Sequence, residues 1–157
     1  MTLMPVTLSG YGASENVAFF FDGGPATQTF TADAKGSLQA SVLAAVTWGN
    51  HELHTKGQAS GIAQTVRFSA PATISLSPNS GPVGTVVNVT SGPGWVPGET
   101  VKVMWQSTVL KTVTADSTGV AKASITIPKH GVGSVTVKMT DQILGVAPAA
   151  TFTITPG

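Results

Sequence analysis

The chain has 157 residues, 10% of them charged, a net charge of +1 and no cysteine. An average globular protein carries about 25% charge, so a charged long helix, a disordered chain and a phosphate-binding basic surface are all excluded. Disulfide frameworks and thiolate chemistry are excluded too, and the longest apolar run, residues 41–48, is far too short for a membrane-spanning helix.

Residues 1–10 lack the basic start and long apolar core of a secretory signal. The first strand is expected around Val6 and Leu8, followed by a loop with Tyr11. Val17, Phe19 and Phe21 then alternate with polar or outward positions, as in a half-buried strand. Leu38, Ala40 and Val42 repeat that pattern, as do His51, Leu53 and Thr55. Between them, Asp33-Ala34-Lys35-Gly36 is a hairpin turn, since Asp accepts from following amides and Gly supplies the positive φ. Residues 46–50 form a loop carrying Trp48, and Val66 and Phe68 lie on the closing strand.

Only Ala70-Pro71-Ala72 separates this half from the next, which predicts a stiff junction and two domains, 1–70 and 71–157. The second half opens with a strand over residues 73–77 and a Pro-rich turn. Val101, Val103 and Trp105 alternate with Lys102, Met104 and Gln106. After the turn Asp116-Ser117-Thr118-Gly119 come Ala121, Ala123, Ile125 and Ile127, then Val135, Val137 and Met139. No stretch has helical periodicity, and six or seven short strands per half predict a β-sandwich in each.

The halves match each other. An offset of 84 places Gly10 on Gly94, Tyr11 on Trp95, Glu15 on Glu99 and Val17 on Val101. An offset of 83 places Thr31-Ala32-Asp33 on Thr114-Ala115-Asp116 and Gly36 on Gly119. The offset returns to 84 for Gly61 on Gly145 and Phe68 on Phe152. Such ordered self-similarity is the mark of a tandem repeat.

The second copy runs Ser77-Pro78-Asn79-Ser80-Gly81-Pro82-Val83-Gly84-Thr85, then Gly94-Trp95-Val96-Pro97-Gly98-Glu99, and closes on Ala150-Thr151-Phe152-Thr153-Ile154. This succession resembles the tandem immunoglobulin-like repeats (TIG/Big type) of bacterial surface and secreted proteins. The resemblance covers nearly the whole chain. It implies an all-β chain of two tandem immunoglobulin-like β-sandwich domains in an extracellular or cell-surface setting. It rests on turns and core positions and supplies no catalytic residues.

The first copy has no counterpart to the opening strand and turn of the second. Its Val6–Leu8 stretch is expected to match about Val87–Val89. Either a fragment boundary removed that strand, or one sheet edge or core groove is expected to be uncovered, which invites a strand from another chain.

Candidate chemistry is sparse. His51 and His54 lie on one strand and face opposite sides, so they do not read as a ligand pair. Asp22, Asp33 and Asp116 stand apart in sequence, whereas calcium needs converging oxygens. Lys102, Lys122 and Lys138 fall on outward positions, against an internal cross-link. No nucleophile elbow or phosphate loop is present, so no enzyme activity, metal or cofactor is expected. Trp48, without an aromatic counterpart, is the candidate ligand contact. Phe20 and Met104 occupy equivalent outward positions and are candidate interface residues. Asn88-Val89-Thr90 fits the glycosylation acceptor pattern at Asn88.

The leading expectation is a non-enzymatic building block of a surface stalk, adhesin or filament. Val6, Leu8, Phe20 and Met104 would form its assembly interface, with self-association or neighbouring surface domains as partners and neither nucleic acid nor membrane insertion. The alternatives are a glycan- or protein-binding module and accessory domains of a larger secreted enzyme.

Overall fold

The computed structural model describes residues 2–44 and 47–157, and every regular element among them is a strand. The described residues form two compact units, 2–44 with 50–70, and 47–49 with 71–157.

The first unit holds β1 (Thr2–Leu8), β2 (Asn16–Phe21), β3 (Ala26–Thr31), β4 (Leu38–Ala44), β5 (Gly49–Gly57) and β6 (Ala63–Ala70). They form a four-stranded sheet ordered β3-β2-β5-β6 and a two-stranded sheet β1-β4. Alternation explains the core: Leu8, Val17, Phe19, Leu38, Val42 and Leu53 point between the sheets and are buried. Phe19 meets Phe30 edge-on at 5.1 Å, and Phe21 meets Phe68 at 6.2 Å.

The second unit holds β7 (Ile74–Ser77), β8 (Ser80–Gly81), β9 (Val86–Ser91), β10 (Thr100–Trp105), β11 (Thr108–Thr114), β12 (Lys122–Thr126), β13 (Gly133–Thr140) and β14 (Ala149–Ile154). Its sheets are β11-β10-β13-β14-β8 and β12-β9-β7. β14 and β8 run parallel, and the other ladders are antiparallel. Two sheets of crossed-over short strands, packed through alternating inward residues, make each unit an immunoglobulin-like β-sandwich. Val87, Val89, Val101, Val103, Val137 and Phe152 are all fully buried.

The two turns expected as hairpins instead carry the chain from one sheet to the other, from β3 to β4 and from β11 to β12, and they share one chemistry. Asp33 Oδ1 accepts from the amides of Lys35 and Ser37, and Asp116 Oδ1 from those of Thr118 and Val120. Gly36 (φ 74°) and Gly119 (φ 75°) close the turns. A Cβ on Gly36 would strike the Tyr11 carbonyl oxygen, and one on Gly119 that of Trp95. Glycine is thus required twice over, by dihedral and by space. The inner strands β2 and β10 each carry a register shift, between Phe19 and Phe20 and between Val103 and Met104.

Candidate functional site

The two sandwiches differ most at one strand. β9 is paired on both sides, with β12 through Ala123↔Val89 and with β7 through Ile74↔Ser91 and Leu76↔Val89. β1 pairs with β4 through Leu38↔Leu8, Ala40↔Val6 and Val42↔Met4, and among the described residues it has no second ladder. Ala40 matches Ala123 by offset, so Val6 stands where Val89 stands and Leu8 where Ser91 stands. This corrects the expected match of Val6–Leu8 to Val87–Val89 by two residues. A two-residue slip keeps every side chain on its face, which is why alternation alone could not detect it.

The open edge leaves apolar surface partly uncovered. Val87, Val89 and Phe152 are 0% exposed, whereas Met4, Val6 and Phe68 are only half-buried. Leu8 is 7% exposed and belongs to the core. Its side chain therefore faces inward, and at that position only backbone is offered to a partner. On the outer face of β1 and β4, Leu3 and Leu43 are cross-strand partners, exposed by 64% and 41%. Pro5 lies within β1, a residue that strands tolerate at sheet edges.

The outward aromatic and thioether are less free than alternation implies. Phe20 and Met104 are half-buried beside the register shifts, and the Thr140 hydroxyl lies 3.5 Å from the Met104 sulfur. Trp48 is not an open ligand contact. It is 5% exposed, donates its amide to the Gly94 carbonyl and meets the Trp95 ring edge-on at 4.6 Å. Gly94 makes room for it, since a Cβ there would collide with the indole. Val46, at the start of the loop assigned to Trp48, lies outside the described residues.

A charged rim adjoins Phe68. Asp22 accepts from His51 Nδ1 at 2.7 Å and from the Glu52 amide at 2.9 Å. The His51 ring stacks on Phe68 at 5.5 Å. Burial works against the Asp22 carboxylate, but the Glu52 amide and His51 outweigh it and hold its pKa low. Glu52, on the other face, binds Arg67 Nε at 2.6 Å, and this hydrogen bond and charge lower its pKa. His54 pairs with Thr65 and Glu52, away from the His51 partners. Asn88 is exposed and accepts from the Ser124 hydroxyl at 2.6 Å.

Two buried acids were legible only as matched positions. Glu15 is 6% exposed and accepts from the Ser60 hydroxyl and from the amides of Gly12, Ala59 and Ser60. These donors, the Ser60 hydroxyl foremost, lower its pKa from 4.5 to about 2. Glu99 is 5% exposed, but among the described residues the amide donor to its carboxylate is that of Val96 alone. Burial first, then the nearby Asp141 carboxylate, raises its pKa. The 84-residue offset shared with Gly10/Gly94 and Val17/Val101 signalled that Glu15 and Glu99 match. Burial of a carboxylate depends on loops far along the chain, which local sequence does not display.

No protein-family model matches the chain, and no curated protein matches it. Among solved structures it is similar to the BSP domain of a biofilm-associated protein, at 18% identity and a TM-score of 0.33 over 98% of this chain and 27% of that one. It is also similar to the Yersinia pseudotuberculosis adhesin InvE, at 16% identity and a TM-score of 0.40 over 99% of this chain and 55% of that one. The chain thus spans about a quarter of the first structure's length and just over half of the second's.

Proposed function

We propose that this chain is a non-enzymatic structural module of a cell-surface stalk, adhesin or filament, acting outside the cell. The assembly step is the addition of a strand from a neighbouring protein to the free edge of β1. The observation that carries this reading is the contrast at one position. Val89 is sealed beneath β7, while its counterpart Val6 is half-buried next to backbone that no second strand pairs among the described residues. An unpaired edge above apolar side chains supplies both main-chain hydrogen bonds and pockets for alternate side chains. The occupant that fits is a short extended segment like Ile74-Ser75-Leu76-Ser77, with apolar residues at alternate positions. Among the described residues, the strands with that pattern are already paired within their own sheets, which favours a donor strand beyond these residues.

Sedimentation of the purified chain with and without a peptide of residues 73–79 tests the reading. The expected result is a saturable complex whose amide shifts centre on Val6–Leu8, weakened by Val6→Asp. A chain that stays monomeric at high concentration and ignores the peptide overturns it.

A further inference from the structure

The loop that follows β5 in the first unit and the loop that follows β13 in the second treat their buried glutamate in opposite ways. At the 84-residue offset Gly57 corresponds to Asp141, Ala59 to Ile143 and Ser60 to Leu144. In the first unit the amides of Ala59 and Ser60 turn onto Glu15. A Cβ on Gly57 would meet Glu15 Oε1 at 2.5 Å and the Ser60 hydroxyl at 2.6 Å, so a glycine is needed for that contact. In the second unit a carboxylate stands at this position and takes the loop amides for itself. Asp141 accepts from Ile143 at 3.0 Å, Leu144 at 2.5 Å and Gly145 at 3.1 Å.

Glu99 is left without donors for one oxygen. Its Oε1 accepts from Val96, while its Oε2 is buried with no hydrogen-bond partner. Two carboxyl groups then line one cavity of about 450 Å³, together with the polar side chains of Thr100, Thr140 and Gln142. Lys102 also lines it but makes no ion pair with either acid among the described residues. A buried carboxylate oxygen without a donor is costly, and a second carboxylate beside it adds to the cost. Three amides take most of the acceptor sites of Asp141 while leaving it a lone pair.

We propose that the cavity between Glu99 and Asp141 is a site for a hard divalent cation, Ca²⁺ in particular. Oxygen donors without thiolate or imidazole select calcium-class ions. Two carboxylates, side-chain amide or hydroxyl oxygens and water give a weak site, in the 10⁻⁴–10⁻³ M range of extracellular modules. The equivalent position in the first unit does not offer such a site, because Glu15 is already satisfied by amide and hydroxyl donors.

Calorimetric titration of the full chain with CaCl₂ tests this, with MgCl₂ as comparison and with amide NMR spectra recorded in parallel. The expected result is saturable Ca²⁺ binding with shifts centred on residues 96–102 and 140–145. Glu99→Gln and Asp141→Asn should each weaken it about tenfold or more, in line with the loss of a charged ligand, and Lys102→Gln should tighten it. If a variant fails to fold, the wild-type shift map still decides. Shifts elsewhere, or no binding up to about 10 mM, well beyond the weakest such modules, would falsify the proposal. A wild-type chain that does not respond to Ca²⁺, together with a Glu99→Gln variant more stable at neutral pH, also overturns it, because a proton shared between the acids then suffices.

Discussion

The hydroxyl of Tyr11 lies 2.5 Å from that of Thr55 inside the first sandwich. The Thr55 hydroxyl in turn reaches the Gln64 carbonyl oxygen at 3.4 Å. At the matched positions of the second unit stand Trp95 and Met139, and the Trp95 indole N–H is buried without a partner. Thr55→Val leaves the Tyr11 hydroxyl unpaired and should cost about 1–3 kcal/mol. Tyr11→Phe in the same background should recover part of that loss, since both polar groups are then gone. Urea unfolding of the four members of this double-mutant cycle measures the coupling.

The first unit should lose stability in acid in a defined window. Glu15 has a folded pKa of about 2 against 4.5 for the free side chain. Its stabilisation is therefore complete above the unfolded value and is lost as pH falls through the folded one. Ser60→Ala removes the leading donor and should narrow the window from below. Urea midpoints followed through amide signals of the first unit, at about pH 7, 4 and 2.5, resolve this. An unchanged midpoint between pH 4 and 2.5 contradicts it.

Gly36→Ala and Gly119→Ala should each destabilise their own unit. A left-handed dihedral at a non-glycine residue costs on the order of 1–3 kcal/mol, and the close carbonyl adds to it. Gly98 (φ 84°) is a useful comparison, because a Cβ there meets nothing within 4 Å. Gly98→Ala should be the milder of the substitutions in thermal melts.

Trp48→Ala should act on stability. Removing a buried aromatic that packs on Trp95 costs about 3–5 kcal/mol where the site cannot collapse. The fluorescence of the remaining tryptophans should report a loosened second unit. A variant as stable as the wild type shows that this packing is dispensable.

Much of the architecture was legible because strand alternation and turn residues are local. Val17/Phe19, Leu38/Ala40/Val42 and Val135/Val137/Met139 all face the core as their period requires. The Asp33 and Asp116 turns follow from residue type alone. The edge strands β3 and β11 were harder to read, since little of either is buried and the alternation fades. The register of β1 was misplaced by two because parity was preserved. Trp48 was misread because a tryptophan in a loop looks the same in sequence whether it is sealed by another ring or left open. The Glu99–Asp141 cavity needed two loops that are neighbours only in the folded sheet.

Glu15 reaches Ala59 and Ser60 across 44 and 45 residues of chain. A contact so distant forms only after most of the first sandwich has closed around it. It should therefore be absent from the folding transition state and weigh on the rate of unfolding rather than of folding. Ser60→Ala would then leave the refolding limb of a chevron plot in place and raise the unfolding limb. For the surface module proposed above, slowness to open is the property that sets its lifetime.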